Sequence, residues 1–305
     1  MRREDIEFTA QGTTTLRGWF YPADNAETGQ APCVVLQHGF SAVKEMWLDK
    51  YAEVFQRAGL NALVYDHPGF GDSYALPGAP RQEIDPWQQV RCFQDAITYA
   101  QSRNEVDADR IGIWGSSYGG GHAYVTAAID RRVGAVVGQV PAISGSETFR
   151  QLVRIDSWAA MDAAFAAERV SRGAGAQATL IPVVDSDPAA MAALPTPDSY
   201  EFFTATAEER APKWRNEVTL TSMEFFRGYE PGIYLPQIAP TPLLMIVAPL
   251  DRLASGQLAT AAYETASHPK KLQLIGGGHF DAYTGDGFDI SSTAARDWFV
   301  EHLLG

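Results

Sequence analysis

A serine in a glycine-flanked turn is the first feature of this sequence that could do chemistry. Residues 115–119 read Gly-Ser-Ser-Tyr-Gly, a G-x-S-x-G pattern placed between a short apolar run and a helical stretch. A strand-to-helix turn this sharp has no room for side chains beside the central residue, so it holds Ser117 exposed at a helix N-terminus. There the N–H of Tyr118 can stabilise an oxyanion. The pattern therefore predicts that Ser117 is a nucleophile.

A serine hydroxyl needs a base, and the base needs a carboxylate that orients it. His279 directly follows the last apolar run of the sequence, and Asp251 directly follows the run before it. In an open α/β sheet the site forms at the carboxyl ends of the strands, so both side chains are expected at the edge that carries Ser117. We predict that these three residues form a catalytic triad. Asp281 is an alternative acid, although it stands very close in sequence to the histidine.

A second oxyanion donor is expected in the loop after the third strand, which reads His-Gly-Phe at residues 38–40. The N–H of Phe40 is the candidate, paired with the N–H of Tyr118. His38 is expected to support this loop rather than to transfer protons, and His67 to lie in a structural loop. A triad of this kind needs no metal and no organic cofactor.

Strands that alternate with helices must position these residues. Two period-two segments, residues 6–10 and 15–22, flank a Gln-Gly turn and predict an antiparallel hairpin. Runs that are apolar on both faces then follow, as in strands buried between two helical layers. These runs are residues 33–36, 62–65, 111–114, 135–138, 243–247 and 272–275. Helical patterns such as residues 87–102 and 291–304 fill the gaps, which predicts an α/β fold with a mostly parallel central sheet flanked by helices.

The strand pattern is interrupted between residues 141 and 243, where the sequence reads helical. Capping-box spacings, an Asp-Pro helix start and an alanine-rich stretch indicate helices there. The signals are Ser144 with Glu147, Thr206 with Glu209, Asp187 with Pro188, and residues 158–167. We predict a helical cap at residues 144–236, inserted between late strands of a core formed by residues 1–143 and 237–305.

Large apolar residues in this insert are the candidates for substrate binding. They are Trp158, Phe165, Phe202, Phe203, Trp214, Phe225 and Phe226. Any single one of them could instead attach the cap to the core. Together they predict an apolar acyl pocket, and hence a hydrophobic ester or thioester as the small-molecule substrate rather than a highly charged one.

The composition excludes several classes of partner. The chain has 305 residues and a net charge of −13, which disfavours binding to nucleic acid and to anionic membranes. Its two cysteines, Cys33 and Cys92, belong to no metal-spaced cluster, are expected to be buried, and fit a reducing compartment. With neither an apolar leader nor a membrane-spanning run in the sequence, we expect a cytoplasmic protein, and a homodimer is an oligomeric state that the sequence leaves open.

These motifs, in the order serine, aspartate, histidine, resemble those of the α/β-hydrolase superfamily. The residues that carry the resemblance are residues 38–40, 66–73 and 115–119 together with Asp251 and His279. The elbow followed by Gly120 is similar to that of the X-Pro dipeptidyl peptidase and cocaine esterase group. The frame with its helical insert resembles dienelactone-hydrolase-like enzymes and the thiohydrolases and acyltransferases of polyketide biosynthesis. Dienelactone hydrolases carry a cysteine where Ser117 stands, and epoxide hydrolases and dehalogenases carry an aspartate.

The resemblance implies that Ser117 attacks a carbonyl, that His279 carries the proton, and that Asp251 fixes the tautomer of His279. It implies a serine hydrolase acting on a carboxylic ester or thioester. Acyl transfer by the same triad remains open, as do C–C bond hydrolysis and cofactor-free perhydrolysis. A non-catalytic binding protein of this fold is the remaining alternative, although such proteins usually lack a member of the triad.

Overall fold

The computed structural model describes residues 2–24, 29–187 and 189–305, in which strands and helices alternate along most of the chain. The strands are β1 (Glu4–Ala10), β2 (Thr14–Tyr21), β3 (Ala31–Gln37), β4 (Asn61–Tyr65), β5 (Val106–Ser116), β6 (Val133–Gln139), β7 (Leu180–Ile181), β8 (Val218–Thr219), β9 (Leu243–Val247) and β10 (Lys270–Leu274). The helices are α1 (Leu48–Arg57), α2 (Pro86–Gln101), α3 (Tyr118–Ile129), α4 (Gly145–Leu152), α5 (Trp158–Gly173), α6 (Pro197–Glu209), α7 (Leu220–Arg227), α8 (Gly256–Thr265) and α9 (Gly285–Phe299). Within the described ranges, no helix is both long and apolar enough to cross a membrane.

Eight strands form one mixed sheet in the order β1-β2-β4-β3-β5-β6-β9-β10. β2 runs antiparallel to both of its neighbours, whereas the pairs from β4 to β10 are parallel. The β1–β2 hairpin turns at Gln11 and Gly12, which both have positive φ, as the Gln-Gly turn predicts. The predicted α/β class is therefore confirmed, and the loops that follow the parallel strands meet at one edge of the sheet.

The central strands are apolar at successive positions because helices cover both faces of the sheet. In β3, Cys33 and Val35 pack into the core that α2, α3 and α8 cover. Val34 and Leu36 pack into the opposite core, beneath α1 and α9. Side chains alternate between the faces of a strand, so a strand between two helical layers needs apolar residues on both.

The last strand differs from the sequence prediction of a fully buried run. β10 pairs with β9 alone and forms an edge of the sheet. Its side chains are half-buried or exposed, and Leu274 is 50% exposed. An edge strand lacks a neighbour on one side, and helices cover it incompletely, so an apolar sequence does not guarantee burial there.

Two helix boundaries also differ from the predictions. Thr206 and Glu209 lie in the last turn of α6, which starts at Pro197, so their spacing does not mark a helix start. The last helix, α9, begins before residue 291. Pro188 itself lies outside the described residues, but residues 189–196 form no helix, so the prediction of a helix start at Asp187 and Pro188 is wrong.

The segment between β6 and β9 carries α4 to α7 and the short β7–β8 ribbon. The Ser144 hydroxyl accepts the N–H of Glu147 at 3.1 Å, as its capping spacing predicts. One apolar cluster includes Phe40 from a loop at the sheet edge and Tyr118 from the start of α3, together with Phe149 and Phe226 from the segment. The helical segment therefore packs directly against the edge where the strands end.

A buried lysine joins the loops that follow β3 and β4. Lys44 is 2% exposed, and its Nζ lies 2.7 Å from a carboxylate oxygen of both Asp66 and Asp72. The Lys44 N–H also donates to Asp66 at 2.8 Å. Burial lowers the pKa of Lys44, but Asp66 and Glu45 outweigh it and hold that pKa above its ordinary value. The lysine therefore stays charged, and the pair fixes the loop that begins with residues 38–40.

Replacing Lys44 with methionine tests this account. The substitution Lys44→Met leaves Asp66 buried without its cation, which costs about 3–5 kcal/mol of unfolding free energy. The control Lys50→Met removes an exposed lysine whose Nζ lies 3.7 Å from Glu53, and it should change the unfolding free energy by less than about 0.5 kcal/mol. Urea denaturation measures both. Similar small effects for the two variants would show that the buried pair does not stabilise the fold.

Candidate active site

Ser117 lies in a strained turn between β5 and α3. Its backbone has φ 57° and ψ −120°, a conformation that costs a non-glycine residue roughly 1–3 kcal/mol. The Ser117 N–H donates to the Gln139 carbonyl at 2.8 Å, and the Ser117 carbonyl accepts the N–H of Gly120 and of Ala142, each at 2.9 Å. These bonds to α3 and to the end of β6 hold the turn in place. The side chain is partly exposed at the tip of the turn.

The glycines of the motif are required because backbone passes very close to them. A Cβ on Gly115 would lie 2.0 Å from the Gly119 carbonyl oxygen, and a Cβ on Gly119 would lie 2.5 Å from the His38 carbonyl oxygen. A Cβ on Gly39 would in turn lie 2.9 Å from the Cβ of Ser117. The absence of side chains thus brings the loop of residues 38–40 against the serine.

Asp251 and His279 form a buried hydrogen bond. The Asp251 Oδ2 lies 2.6 Å from His279 Nδ1, and the two side chains are 1% and 2% exposed. The other carboxylate oxygen of Asp251 accepts the N–H of Leu253 and of Ala254, each at 2.8 Å. A carboxylate at Nδ1 selects the tautomer with its proton on Nδ1, which leaves Nε2 as a proton acceptor.

Asp281, the alternative acid, has a different partner. Its Oδ2 accepts the N–H of Gly278 at 2.7 Å. A Cβ on Gly277 would lie 2.2 Å from the same oxygen, which shows how closely the carboxylate lies against this backbone. Asp281 therefore caps the short 3-10 helix His279–Tyr283, while Asp251 is the carboxylate bonded to the histidine.

Two tyrosines attach the 3-10 helix to the rest of the fold. The Tyr283 hydroxyl lies 2.5 Å from the Ser116 hydroxyl, next to the serine turn. The Tyr51 hydroxyl of α1 donates to the Ala282 carbonyl at 2.6 Å. Burial raises the pKa of both phenols above the ordinary value, so both remain protonated donors. The histidine segment is thus tied to the strand that carries Ser117.

The two expected oxyanion donors lie beside Ser117. In the part of the chain that the structure describes, no protein group accepts the N–H of Phe40 or of Tyr118. His38 Nε2 accepts the N–H of His67 at 3.2 Å, and Nδ1 lies 3.0 Å from the Gly39 carbonyl, so Nδ1 carries the proton. Burial lowers the pKa of His38 to about 4. The His38 ring is therefore neutral and supports the loop of residues 38–40 through these hydrogen bonds.

Ser117 and His279 line a cavity of about 50 Å³. Its wall includes Phe202, Phe203 and Phe226, three of the large apolar residues that the sequence offers as candidates for substrate binding. Other lining residues carry no sequence signal that would have identified them, because they are ordinary apolar residues of loops and helix ends. They include Met46, Leu48, Leu152, Leu194, Leu253 and Phe280.

Four of the large residues predicted for the pocket do not line this cavity. The indole N–H of Trp158 donates to the Val153 carbonyl at 3.0 Å, and that of Trp214 donates to the Ser41 carbonyl at 3.1 Å. Phe165 is fully buried in the apolar cluster, whereas Phe225 is 37% exposed. Size and hydrophobicity do not decide which face of a helix carries a residue, and these side chains attach the segment or face solvent.

Comparison with known proteins covers both the sheet and the inserted segment. A family model described as alpha/beta hydrolase fold matches residues 32–286. Polyketide transferase af380 of Aspergillus fumigatus is 30% identical over 99% of this chain and 99% of its own length. Thiohydrolase aneE of Aspergillus aculeatus is 31% identical over 88% of this chain and 83% of its own. The crystal structure of alpha/beta hydrolase GrgF from Penicillium sp. sh18 has a TM-score of 0.82 and 26% identity, with full coverage of both chains.

Three histidines form a buried cluster behind the serine turn. The His67 ring centroid lies 4.3 Å from that of His38 and 5.9 Å from that of His122. His122 is bonded to the Tyr229 hydroxyl and to Gln89, whereas neither ring nitrogen of His67 has a partner among the described residues. Burial lowers the pKa of all three rings. Within the described ranges, no group of His, Cys, Asp or Glu side chains is placed to hold a metal ion.

The neutral state of His67 predicts a loss of stability in acid. Its pKa is lowered by burial, so the unfolded chain binds the proton first as the pH falls below the ordinary value of 6.5. The contribution to stability is complete above that pH and is lost below it. The substitution His67→Leu removes no hydrogen bond of the ring. Between about pH 7 and pH 5, the unfolding free energy of this variant should therefore fall less than that of wild type.

Urea denaturation at a series of pH values measures this difference. The control His268→Leu removes an exposed ring and should follow the wild-type curve. Parallel curves for all three proteins would contradict a depressed pKa at His67.

Proposed function

This chain belongs to the alpha/beta hydrolase fold family, and on that premise we propose that it is a serine hydrolase that cleaves a carboxylic ester or thioester of a hydrophobic acyl group. The observation that carries the proposal is the buried 2.6 Å hydrogen bond between Asp251 and His279, at the cavity that Ser117 also lines. An acid-oriented imidazole and a partly exposed serine at one cavity are the groups that acyl-enzyme chemistry requires.

In the first half of the reaction, Ser117 Oγ attacks the carbonyl carbon while His279 Nε2 takes the hydroxyl proton. The tetrahedral intermediate collapses, the bond to the leaving oxygen or sulfur breaks, and His279 returns the proton to the leaving alcohol or thiol. Water then attacks the acyl-enzyme, again deprotonated by His279, and the carboxylic acid leaves as the proton returns to Ser117. Asp251 holds the tautomer of His279 and stabilises the imidazolium that forms in each half.

The N–H groups of Phe40 and Tyr118 are the proposed donors to the oxyanion. Their support is that both lie at the serine turn without a protein acceptor in the described part of the chain. In a comparable site, one such donor contributes about 3–4 kcal/mol to transition-state stabilisation. The strained backbone of Ser117 serves the same end, because it exposes the hydroxyl at the N-terminus of α3.

The preference for a hydrophobic acyl group is supported by the cavity wall. No Lys, Arg, Asp or Glu is among its lining residues in the described ranges, and Phe202, Phe203 and Phe226 contribute apolar rings. A charged acyl group would lose its hydration there without gaining a counter-ion.

Acyl transfer to an alcohol is the second candidate. It is favoured by the name of the polyketide transferase that is 30% identical over 99% of this chain, whereas the relative named a thiohydrolase favours hydrolysis. Both reactions share the acyl-enzyme and differ only in the group that attacks it. An added alcohol that replaces the free acid with a new ester identifies transfer.

A matched pair of substrates tests the serine chemistry. We expect wild type to hydrolyse an octanoyl oxygen ester or its thioester, measured as initial rates of acid release. Ser117→Ala removes the nucleophile and should lower kcat about a million-fold, to background, as in other triads. Ser171→Ala, an exposed residue of α5, is the control and should match wild type. Equal rates in wild type and Ser117→Ala would exclude the proposed triad.

The two candidate acids give a second test. Asp251→Asn should lower kcat about ten-thousand-fold, because an amide at Nδ1 selects the wrong tautomer of His279. Asp281→Asn removes a carboxylate that caps the 3-10 helix, and its rate should stay within about threefold of wild type, since capping affects stability rather than tautomer. A larger loss in Asp281→Asn than in Asp251→Asn would reverse the assignment.

A further inference from the structure

A second cavity lies next to the one that Ser117 lines. Its volume is about 640 Å³, against about 50 Å³ for the cavity at the serine. We name it the apolar chamber, and its wall includes Phe149, Val153, Met161, Ile181, Met191 and Met223. Leu152 and Phe226 line both cavities and form the partition between them.

We propose that the apolar chamber binds the hydrocarbon chain of the acyl group whose carbonyl lies beside Ser117. The ligand class is an uncharged aliphatic acyl chain of medium or greater length. This inference rests on the proposed function, since it concerns the substrate of the same serine.

The volumes of the two cavities support a site in which the carbonyl lies at Ser117 and the hydrocarbon chain lies in the chamber. The cavity at Ser117 has less than a tenth of the volume of the chamber, so it offers little space for a long chain. The chamber, at about 640 Å³, falls within the range of about 300–1,000 Å³ that is typical of ligand pockets. An acyl chain that begins at Ser117 therefore needs the chamber for most of its length.

Phe226 of the partition packs against the side chains of Phe40 and Tyr118, the two residues that carry the proposed oxyanion donors. The Phe226 ring centroid lies 5.8 Å from that of Phe40 and 5.6 Å from that of Tyr118. Leu152 and Phe226 lie at or near the C-terminal ends of α4 and α7. A chain that extends from the carbonyl past these rings therefore reaches side chains that also line the chamber.

The chemistry of the chamber wall fits an aliphatic chain. Three of the six methionines of the protein line it, and methionine adapts its shape to irregular apolar ligands. Arg154 is the one charged residue among its lining residues in the described ranges, and it is exposed and paired with Asp156 at 2.6 Å. The wall thus offers no unpaired cation to an acidic chain terminus.

The test compares acetyl and dodecanoyl thioesters on variants of the chamber. Met191 is 55% exposed at the chamber wall, so Met191→Glu places a carboxylate there without disturbing a core. Val170→Glu is the control, because Val170 is 75% exposed on α5 and lines neither cavity. Ala192→Phe narrows the chamber without adding charge.

Each buried methylene contributes about fourfold to binding, so both chamber variants should lower kcat/KM for the dodecanoyl thioester at least about tenfold. Their loss for the acetyl thioester should be smaller, because that chain is too short to fill the chamber, whereas both values for Val170→Glu should stay within about twofold of wild type. Equal losses for the two chain lengths, or none, would overturn the chamber assignment while leaving the serine chemistry intact.

A binding measurement separates this proposal from the proposed function. Calorimetry measures the affinity of Ser117→Ala for the intact dodecanoyl thioester, with and without Met191→Glu. We expect the second substitution to weaken binding at least about tenfold. Unchanged affinity would refute the chamber even if wild type turned over no ester, and weakened affinity in an inactive protein would refute only the hydrolysis.

Discussion

The backbone of Ser117, at φ 57° and ψ −120°, is the constraint around which the rest of the site is arranged. This conformation costs roughly 1–3 kcal/mol, and a hydrogen bond contributes about 1 kcal/mol net. The bonds to Gln139 and Ala142 are therefore comparable in size to the strain they oppose. Gln139 is the last residue of β6 and Ala142 lies in the loop after it, so the position of that strand beside β5 keeps the serine turn in place.

The loop that carries Phe40 is held both by the sheet side of the molecule and by the inserted segment. Asp72 forms ion pairs with Lys44 of this loop and with Lys213 of the segment. Lys213 is half-exposed, and an exposed ion pair contributes at most about 1 kcal/mol. A large apolar side chain buried at the same boundary, such as Phe226, contributes about 1.5–3 kcal/mol. Apolar packing therefore contributes more to the attachment of the segment than this exposed ion pair does.

The sequence predicts those parts of the fold and site that depend on chain order and on burial from both sides. β3 and β9 are apolar at nearly every position because helices cover both faces, and parallel strands carry Asp251 and His279 to one edge. The sequence predicts the burial of a side chain less well where the packing of neighbouring elements determines it. Leu274 belongs to an apolar run but lies on an edge strand. Phe165 and Trp214 are as large and apolar as Phe202 and Phe203, and only the helix face and loop path determine which of them reach the cavity.

Charge is nearly absent from the surroundings of Ser117, and this bears on the proposed mechanism. The histidines behind the turn are held neutral by burial, and the phenols of Tyr51 and Tyr283 stay protonated. Asp251 is the carboxylate bonded to His279, so it is the counter-ion when the imidazole takes up a proton. A charge pair is stronger in a medium of low dielectric than in water, and the same holds for the N–H dipoles aimed at an oxyanion. The apolar walls on which the proposed preference for a hydrophobic acyl group rests would therefore also strengthen the interactions that stabilise its transition state.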